Sequence, residues 1–144
     1  MKFKLLDKAS ERTYALIFET GDEVVSLLKK WAVDIKPQTA HFTAIGAFQD
    51  AVIAYFDWES KEYKKIPVKE QVEVLTLAGD IAWKEDGTPV IHAHVVVGRP
   101  DGSTRGGHLM EAHVRPTLEL ILVESPLYLT RRHDPNSGLA LIRL

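Results

Sequence analysis

Residues 72–115, VEVLTLAGDIAWKEDGTPVIHAHVVVGRPDGSTRGGHLMEAHVR, decide the fold. Asp86-Gly87 and Asp101-Gly102 each separate two apolar runs. An Asp-Gly pair in that setting is the strongest short-range hairpin signal, because it accepts the positive φ angles that tight turns need. The stretch therefore reads as a meander of strands over 72–83, 89–98 and 105–115. Gly79, inside the first of them, predicts a bulge or a close backbone approach.

The chain on either side fits the same plan. Pro116 marks a corner, 117–125 reads as a further buried strand, and Pro126 stops it. A turn at Pro135-Asn136-Ser137-Gly138 leads into a last strand over 139–144. Upstream, 40–47 and 50–58 have the two-residue period of strands separated by a short turn, with Gly46 free to take an unusual backbone angle. The charged segment 59–65 reads as a loop with at most a short strand into Ile66, interrupted by Pro67. Near the start, 2–6 is a short edge strand or loose, and 13–19 is a strand. Thr20-x-x-Glu23 has the form of a capping box. Behind it Val24, Leu28, Trp31 and Ile35 share one helical face, and Pro37 ends that helix. The expectation is an α+β fold, one domain over 1–144, a mainly antiparallel meander with one main amphipathic helix and a few short ones.

Composition narrows the function. Apolar residues make up 45% and charged residues 26% of 144 residues, enough for an unaided core. The net charge of -2 lacks the electrostatic footprint of a nucleic-acid-binding domain. With no cysteine, disulfides and thiol chemistry are excluded, and any zinc must be held by His and carboxylates. Neither a signal-peptide core nor a membrane-length apolar run is present, so the expected location is the cytoplasm.

Three of the six histidines fall within Ile91–Met110. His92 and His94, two apart on a strand, project from the same face. The position of His108 depends on register. A five-residue loop at 99–103 sets His94 opposite His108 and puts all three imidazoles on one face. A two-residue turn at Asp101-Gly102 sets His94 against Leu109 and turns His108 away. Gly106-Gly107 favours the first arrangement, through twist and close backbone approach. Three imidazoles would leave a fourth metal position open for water, a carboxylate or substrate. The plainer alternative is that these are half-buried, hydrogen-bonded strand histidines. A cupin site is disfavoured, because no Glu follows His94 within Val95-Val96-Val97-Gly98-Arg99. His113 and Glu111 stand at odd spacing from His108, which on a regular strand turns them to the opposite face. His41 and His133 read as structural or solvated.

Taken in order, several segments resemble one family. They are the helix after Thr20-Gly21-Asp22-Glu23, Ala44-Ile45-Gly46-Ala47, Ala54-Tyr55-Phe56-Asp57 and Val74-Leu75-Thr76-Leu77-Ala78-Gly79-Asp80. Asp86-Gly87, His92-x-His94, Asp101-Gly102, Gly106-Gly107-His108-Leu109 and Gly138-Leu139 complete the series. The chain resembles the plants-and-prokaryotes-conserved (PPC) domain, which follows AT-hooks in a group of plant nuclear proteins and stands alone in bacteria and archaea. The resemblance implies a single domain around an antiparallel sheet, a homotrimer, and a metal site, zinc, carried onto His92, His94 and His108. Prokaryotic members are commonly labelled DNA-binding, although the AT-hook is the clear DNA-contacting element of the plant proteins. Gly98-Arg99-Pro100 repeats the core letters of an AT-hook, but Val97 and Asp101 flank it where basic residues would be needed in a minor groove. Lys29-Lys30, Lys64-Lys65 and Arg131-Arg132 read as solvated faces.

The leading expectation is a trimeric zinc-binding module whose open position takes a small anionic ligand, acting in assembly or regulation. A zinc-dependent hydrolase or lyase is one alternative, with Glu111 and Asp80 as weak candidates for its acid or base. DNA binding is the other.

Overall fold

The computed structural model describes residues 1–7, 12–125 and 129–143. Its order of elements is β1 (Lys2–Asp7), β2 (Thr13–Glu19), α1 (Val24–Ile35), β3 (Thr39–Asp57), β4 (Glu62–Val68), β5 (Val72–Lys84), β6 (Pro89–Gly98), β7 (Thr104–Ser125), β8 (Thr130–His133) and β9 (Ala140–Arg143). The fold is α+β, as expected, and α1 is the one helix among the described residues. The expected further short helices are absent from them. The stop at Pro126 and the last residue of the final strand, Leu144, lie outside the described residues.

The meander is present, and its pairings close on themselves. β3 pairs with β5, β5 with β6, β6 with the first half of β7, and β7 with β3, all antiparallel. β4 adds to the second half of β3, while β2 and then β1 extend from the second half of β7. β8 joins the end of β5 in parallel, at Trp83↔Thr130 and Lys84↔Arg131, and β9 pairs with β8. The inward row includes Phe42, Phe48, Ile53, Leu77, Ile81, Val97, Leu118, Leu120 and Leu122, all fully buried or nearly so. Burying each such side chain contributes roughly 1.5–3 kcal/mol. α1 lies against β6 and β7 and closes this core with Val24, Leu28, Trp31 and Ala32. The Trp31 ring meets Tyr14 edge-on at 5.1 Å.

Four local expectations are corrected. The strands at 40–47 and 50–58 are one continuous β3, and 105–115 and 117–125 are one continuous β7 that runs through the cis Arg115–Pro116 bond. Their mutual register shifts near Gly46, Phe48 and Asp50 bend the two strands together, so that the signals expected to end them curve them instead. At Gly46 (φ +150°) a Cβ would lie 2.3 Å from the Thr117 carbonyl oxygen, so only glycine fits this crossing. The segment expected as a charged loop is largely β4, and Pro67 is tolerated there opposite Val52 on an edge strand. The capping box is also absent. Glu23 itself is the N-cap, accepting from the backbone of Val25 and Ser26, while the Thr20 hydroxyl donates to the Pro116 carbonyl. Glu23 further accepts from Ala112 N at 3.2 Å, which ties the helix start to β7. At the other end Lys36 takes the left-handed conformation and its N–H bonds Ala32.

The close approach expected at Gly79 is present, since a Cβ there would lie 2.5 Å from the His92 carbonyl oxygen; the β5 bulge falls instead at Leu75, between Val74 and Thr76. Gly107 has the same constraint from β3. A Cβ at this residue would stand 2.6 Å from the Ala54 carbonyl oxygen. Gly107→Ala is expected to destabilise the protein by about 1–3 kcal/mol, the usual range for overpacking. Urea denaturation would check this, and a change within about 0.5 kcal/mol of wild type would contradict it.

Candidate metal centre

The β6–β7 connection takes the five-residue form. Gly98 pairs with Thr104, Val95 with Gly107, and His94 with His108. The loop chemistry selects this register. Arg99 N donates to Ser103 O at 2.8 Å, Gly102 N to Arg99 O at 2.9 Å, and the Asp101 carboxylate accepts from both the backbone and the hydroxyl of Ser103. Arg99 is committed to this loop and to Glu70, with Nε 2.6 Å from Oε1, which accounts for the Gly-Arg-Pro sequence without DNA.

His92, His94 and His108 consequently converge. Their ring centroids are 5.1, 5.3 and 5.5 Å apart, and one nitrogen from each can be chosen so that all lie within 4.8 Å of one another. Tyr63, on β4, covers His108 with its ring at 4.7 Å and in turn meets Phe56 edge-on. The plainer reading, of strand histidines each satisfied by a protein hydrogen bond, fails for His108. Its Nδ1 is buried with no hydrogen-bond partner among the described residues. Such an orphaned nitrogen costs free energy unless something binds it. Burial, and then the charges of His92 and His94, push the His108 pKa down to about 4. Burial also lowers that of His94, with His92 adding to the effect. At neutral pH the His94 and His108 rings are therefore neutral and offer lone pairs, the state a metal ligand requires.

Behind His92 stand Asp80 and Arg131. Arg131, expected on a solvated face, is only 6% exposed. Its Nη2 donates to Asp80 Oδ1 at 2.6 Å and its Nη1 to the Ala140 carbonyl. The same Nη2 lies 3.3 Å from His92 Nδ1, and Asp80 Oδ2 lies 3.5 Å from that nitrogen. Burial opposes ionisation of Asp80, but the bonds from His92 and Arg131 outweigh it and hold its carboxyl below the usual range. No sequence signal located Arg131 here, because β8 reaches β5 by a parallel pairing across the long excursion of β6 and β7.

The remaining candidates lie elsewhere. Between Ile53↔Leu109 and Val52↔Glu111 the register shifts by one residue at Met110. That bulge overturns the parity expected of Glu111 and His113, and turns both to the outward side that His108 also faces. There they join each other and Asp50 instead of the three imidazoles: His113 Nδ1 is 2.8 Å from Asp50 Oδ1, and Nε2 is 4.0 Å from Glu111. The Asp50 carboxylate, by its hydrogen bond, raises the His113 pKa. His41 and His133 are exposed, as expected.

With this geometry in place, comparison with known proteins is direct. The model of the Plants and Prokaryotes Conserved (PCC) domain matches residues 6–126. The chain belongs to that family. Among solved structures it is similar to a plant- and prokaryote-conserved protein of Pyrococcus horikoshii (34% identity, TM-score 0.85, 99% of this chain and 95% of that one). It is also similar to a metal-containing protein of Archaeoglobus fulgidus (32%, TM-score 0.84, 99% and 97%). A third, from Ralstonia eutropha, is described as "Putative DNA-binding protein" (31%, TM-score 0.84, 91% and 90%). A curated relative, the Bifunctional protein GlmU of Synechococcus sp., is 30% identical over 137 residues, 92% of this chain. The chain spans only 20% of that protein's length.

The depressed His108 pKa makes a signed prediction for protein held metal-free by chelator. Folded His108 stays neutral down to about 4, whereas the unfolded chain protonates it near the ordinary 6.5. The unfolded state therefore binds more protons in that window, and stability must fall as the pH drops through it. The stability difference between wild type and His108→Asn, followed by thermal melting, is expected to shift against wild type between those two pH values. A difference that does not change with pH would contradict the assignment.

Proposed function

We propose that this domain binds one divalent metal ion, zinc, through His92, His94 and His108, and presents its open coordination position to a small anionic ligand. It acts as a homotrimeric ligand-binding or regulatory module in the cytoplasm. Two observations carry the reading: the three imidazoles converge, and the buried His108 Nδ1 has no hydrogen-bond partner among the described residues. Neutral imidazoles without thiolates suit zinc, and three protein ligands with one open position are the pattern of a site that exchanges a ligand. The description of the Archaeoglobus fulgidus relative as metal-containing supports the same reading.

Trimerisation is supported by the outer face of the sheet next to the site. Ile45, Ile121 and Val96 are 62%, 45% and 37% exposed, and Leu75, at the β5 bulge, is 52% exposed. Register carries this face directly to the histidines, since Ile121 pairs with Thr43, Thr43 with Ala78, and Ala78 with His94. Exposed large apolar side chains grouped on one sheet face suit a surface that a partner covers.

The alternatives are less well supported. For DNA binding, Arg99, Arg131 and Arg132 are each paired with an acid, Glu70, Asp80 and Glu85 respectively. For a hydrolase or lyase, both base candidates are engaged: Asp80 with Arg131, and Glu111 beside His113.

Elemental analysis of protein purified without a His-tag is expected to find about one divalent ion per chain, falling at least tenfold in each of His92→Ala, His94→Ala and His108→Ala. Metal content near zero that does not rise when zinc is added would overturn the proposal. Light scattering is expected to give three times the chain mass, and Ile121→Lys is expected to reduce it. A monomer at micromolar concentration would remove the assembly half of the reading.

A further inference from the structure

The contacts of His92 define a competition for one proton, and this has consequences for how the site loads. Its Nδ1 faces two groups of opposite hydrogen-bonding character. Arg131 Nη2, at 3.3 Å, can only donate. Asp80 Oδ2, at 3.5 Å and ionised, can only accept. A neutral imidazole carries one proton. If Nδ1 accepts from Arg131, the proton sits on Nε2 and blocks that nitrogen. If Nδ1 donates to Asp80, Nε2 is bare.

Because Nδ1 is turned towards Asp80 and Arg131, Nε2 is the His92 atom left for a ligand role. We propose that Asp80 is the positioning residue of the three-histidine site. It accepts a hydrogen bond from the Nδ1–H of His92, selects the tautomer with a free Nε2, and is itself held in place by Arg131. This inference rests on the metal-binding reading and assigns to it a residue outside the three ligands.

Three features of the geometry favour Asp80 over Arg131 as the partner of Nδ1 in the loaded state. Arg131 is already engaged, with Nη2 on Asp80 at 2.6 Å and Nη1 on the Ala140 carbonyl at 2.9 Å, so its share in Nδ1 is a third, longer contact. Asp80 uses Oδ1 for Arg131 and keeps Oδ2 for His92. The two residues are also direct cross-strand neighbours, since Asp80 pairs with His92 in the β5–β6 register, so the backbone sets their approach. A carboxylate that receives the second N–H of a ligating histidine raises that ligand's basicity and fixes its ring, and losing such a partner typically costs roughly 10–100-fold in metal affinity.

The test uses the full chain with zinc as the probe. Zinc affinity, measured by competition with a chromophoric chelator, is expected to fall roughly 10–100-fold in Asp80→Asn, which keeps the shape of the side chain but removes its charge. Because Arg131 is buried against Asp80, thermal melting of Asp80→Asn without zinc checks that it folds. A second measurement needs no variant. Nitrogen-15 correlation spectra of zinc-loaded wild type are expected to show His92 with its proton on Nδ1. A His92 that carries its proton on Nε2 in the loaded protein, or a folded Asp80→Asn that binds zinc within twofold of wild type, would overturn the role of Asp80. Wild type that takes up no zinc would instead overturn the three-histidine reading itself, and this inference with it.

Discussion

The structure depends on how closely the start of β7 runs between β3 and β6. At Gly107 the chain faces Ala54 on one side and pairs with Val95 on the other, and the space on the β3 side excludes even a methyl group. Removing the side chain lets three strands hydrogen-bond without spreading, and this sets the next residue, His108, level with His94. The three-histidine cluster is in this sense a by-product of sheet closure. A β-sheet has a side-chain period of two, so a slip of one residue here would send His108 to the opposite face and leave His92 and His94 without a third imidazole beside them. The hydrogen bonds inside the loop from Arg99 to Ser103 guard against that slip.

Around this closure the two faces of the sheet have separate work. The inner face is filled by aliphatic and aromatic side chains and covered by α1, whose start is tied down by the contact of Glu23 with β7. The outer face keeps the histidines at one end and an exposed apolar strip at the other, linked through Ala78 and Thr43. A ligand at the histidines and a partner at Ile121 would therefore act on one line of cross-strand pairs, which runs from His94 through Ala78 and Thr43 to Ile121. That proximity is a physical route by which ligand and assembly could influence each other.

The Asp80–Arg131 pair brings the late part of the chain to the site. Burying an ion pair is costly, and breaking one by removing a single partner typically destabilises by roughly 3–5 kcal/mol. Its position against His92 gives that cost a purpose beyond joining β8 to the sheet, since the pair supplies both the acceptor that the imidazole needs and the cation that keeps the acceptor ionised. Arg132, the next residue, points out to Glu85, at the same sheet edge. Two adjacent arginines thus have opposite roles because a strand turns them to opposite sides.

Much of this was legible in local sequence. The Asp-Gly pairs specify hairpins through their backbone preferences, the spacing of Val24, Leu28 and Trp31 specifies a helix by its period, and His92 and His94 share a face because they are two apart on a strand. These features depend only on neighbours along the chain. Tertiary structure decided what depends on pairing between distant segments. It merged the expected short strands into β3 and β7, because the turn signals at Gly46 and Pro116 are absorbed by matched bends. It moved the helix cap from Thr20 to Glu23, because Thr20 is taken by Pro116. A bulge at Met110, invisible as a pattern, turned Glu111 and His113 around, and Arg131 came to Asp80 through a parallel contact between β5 and β8. The sequence by itself determined which residues could be ligands. Only the packing of three strands at Gly107 decided that their nitrogens meet, because register is settled by contacts across the sheet and not along the chain.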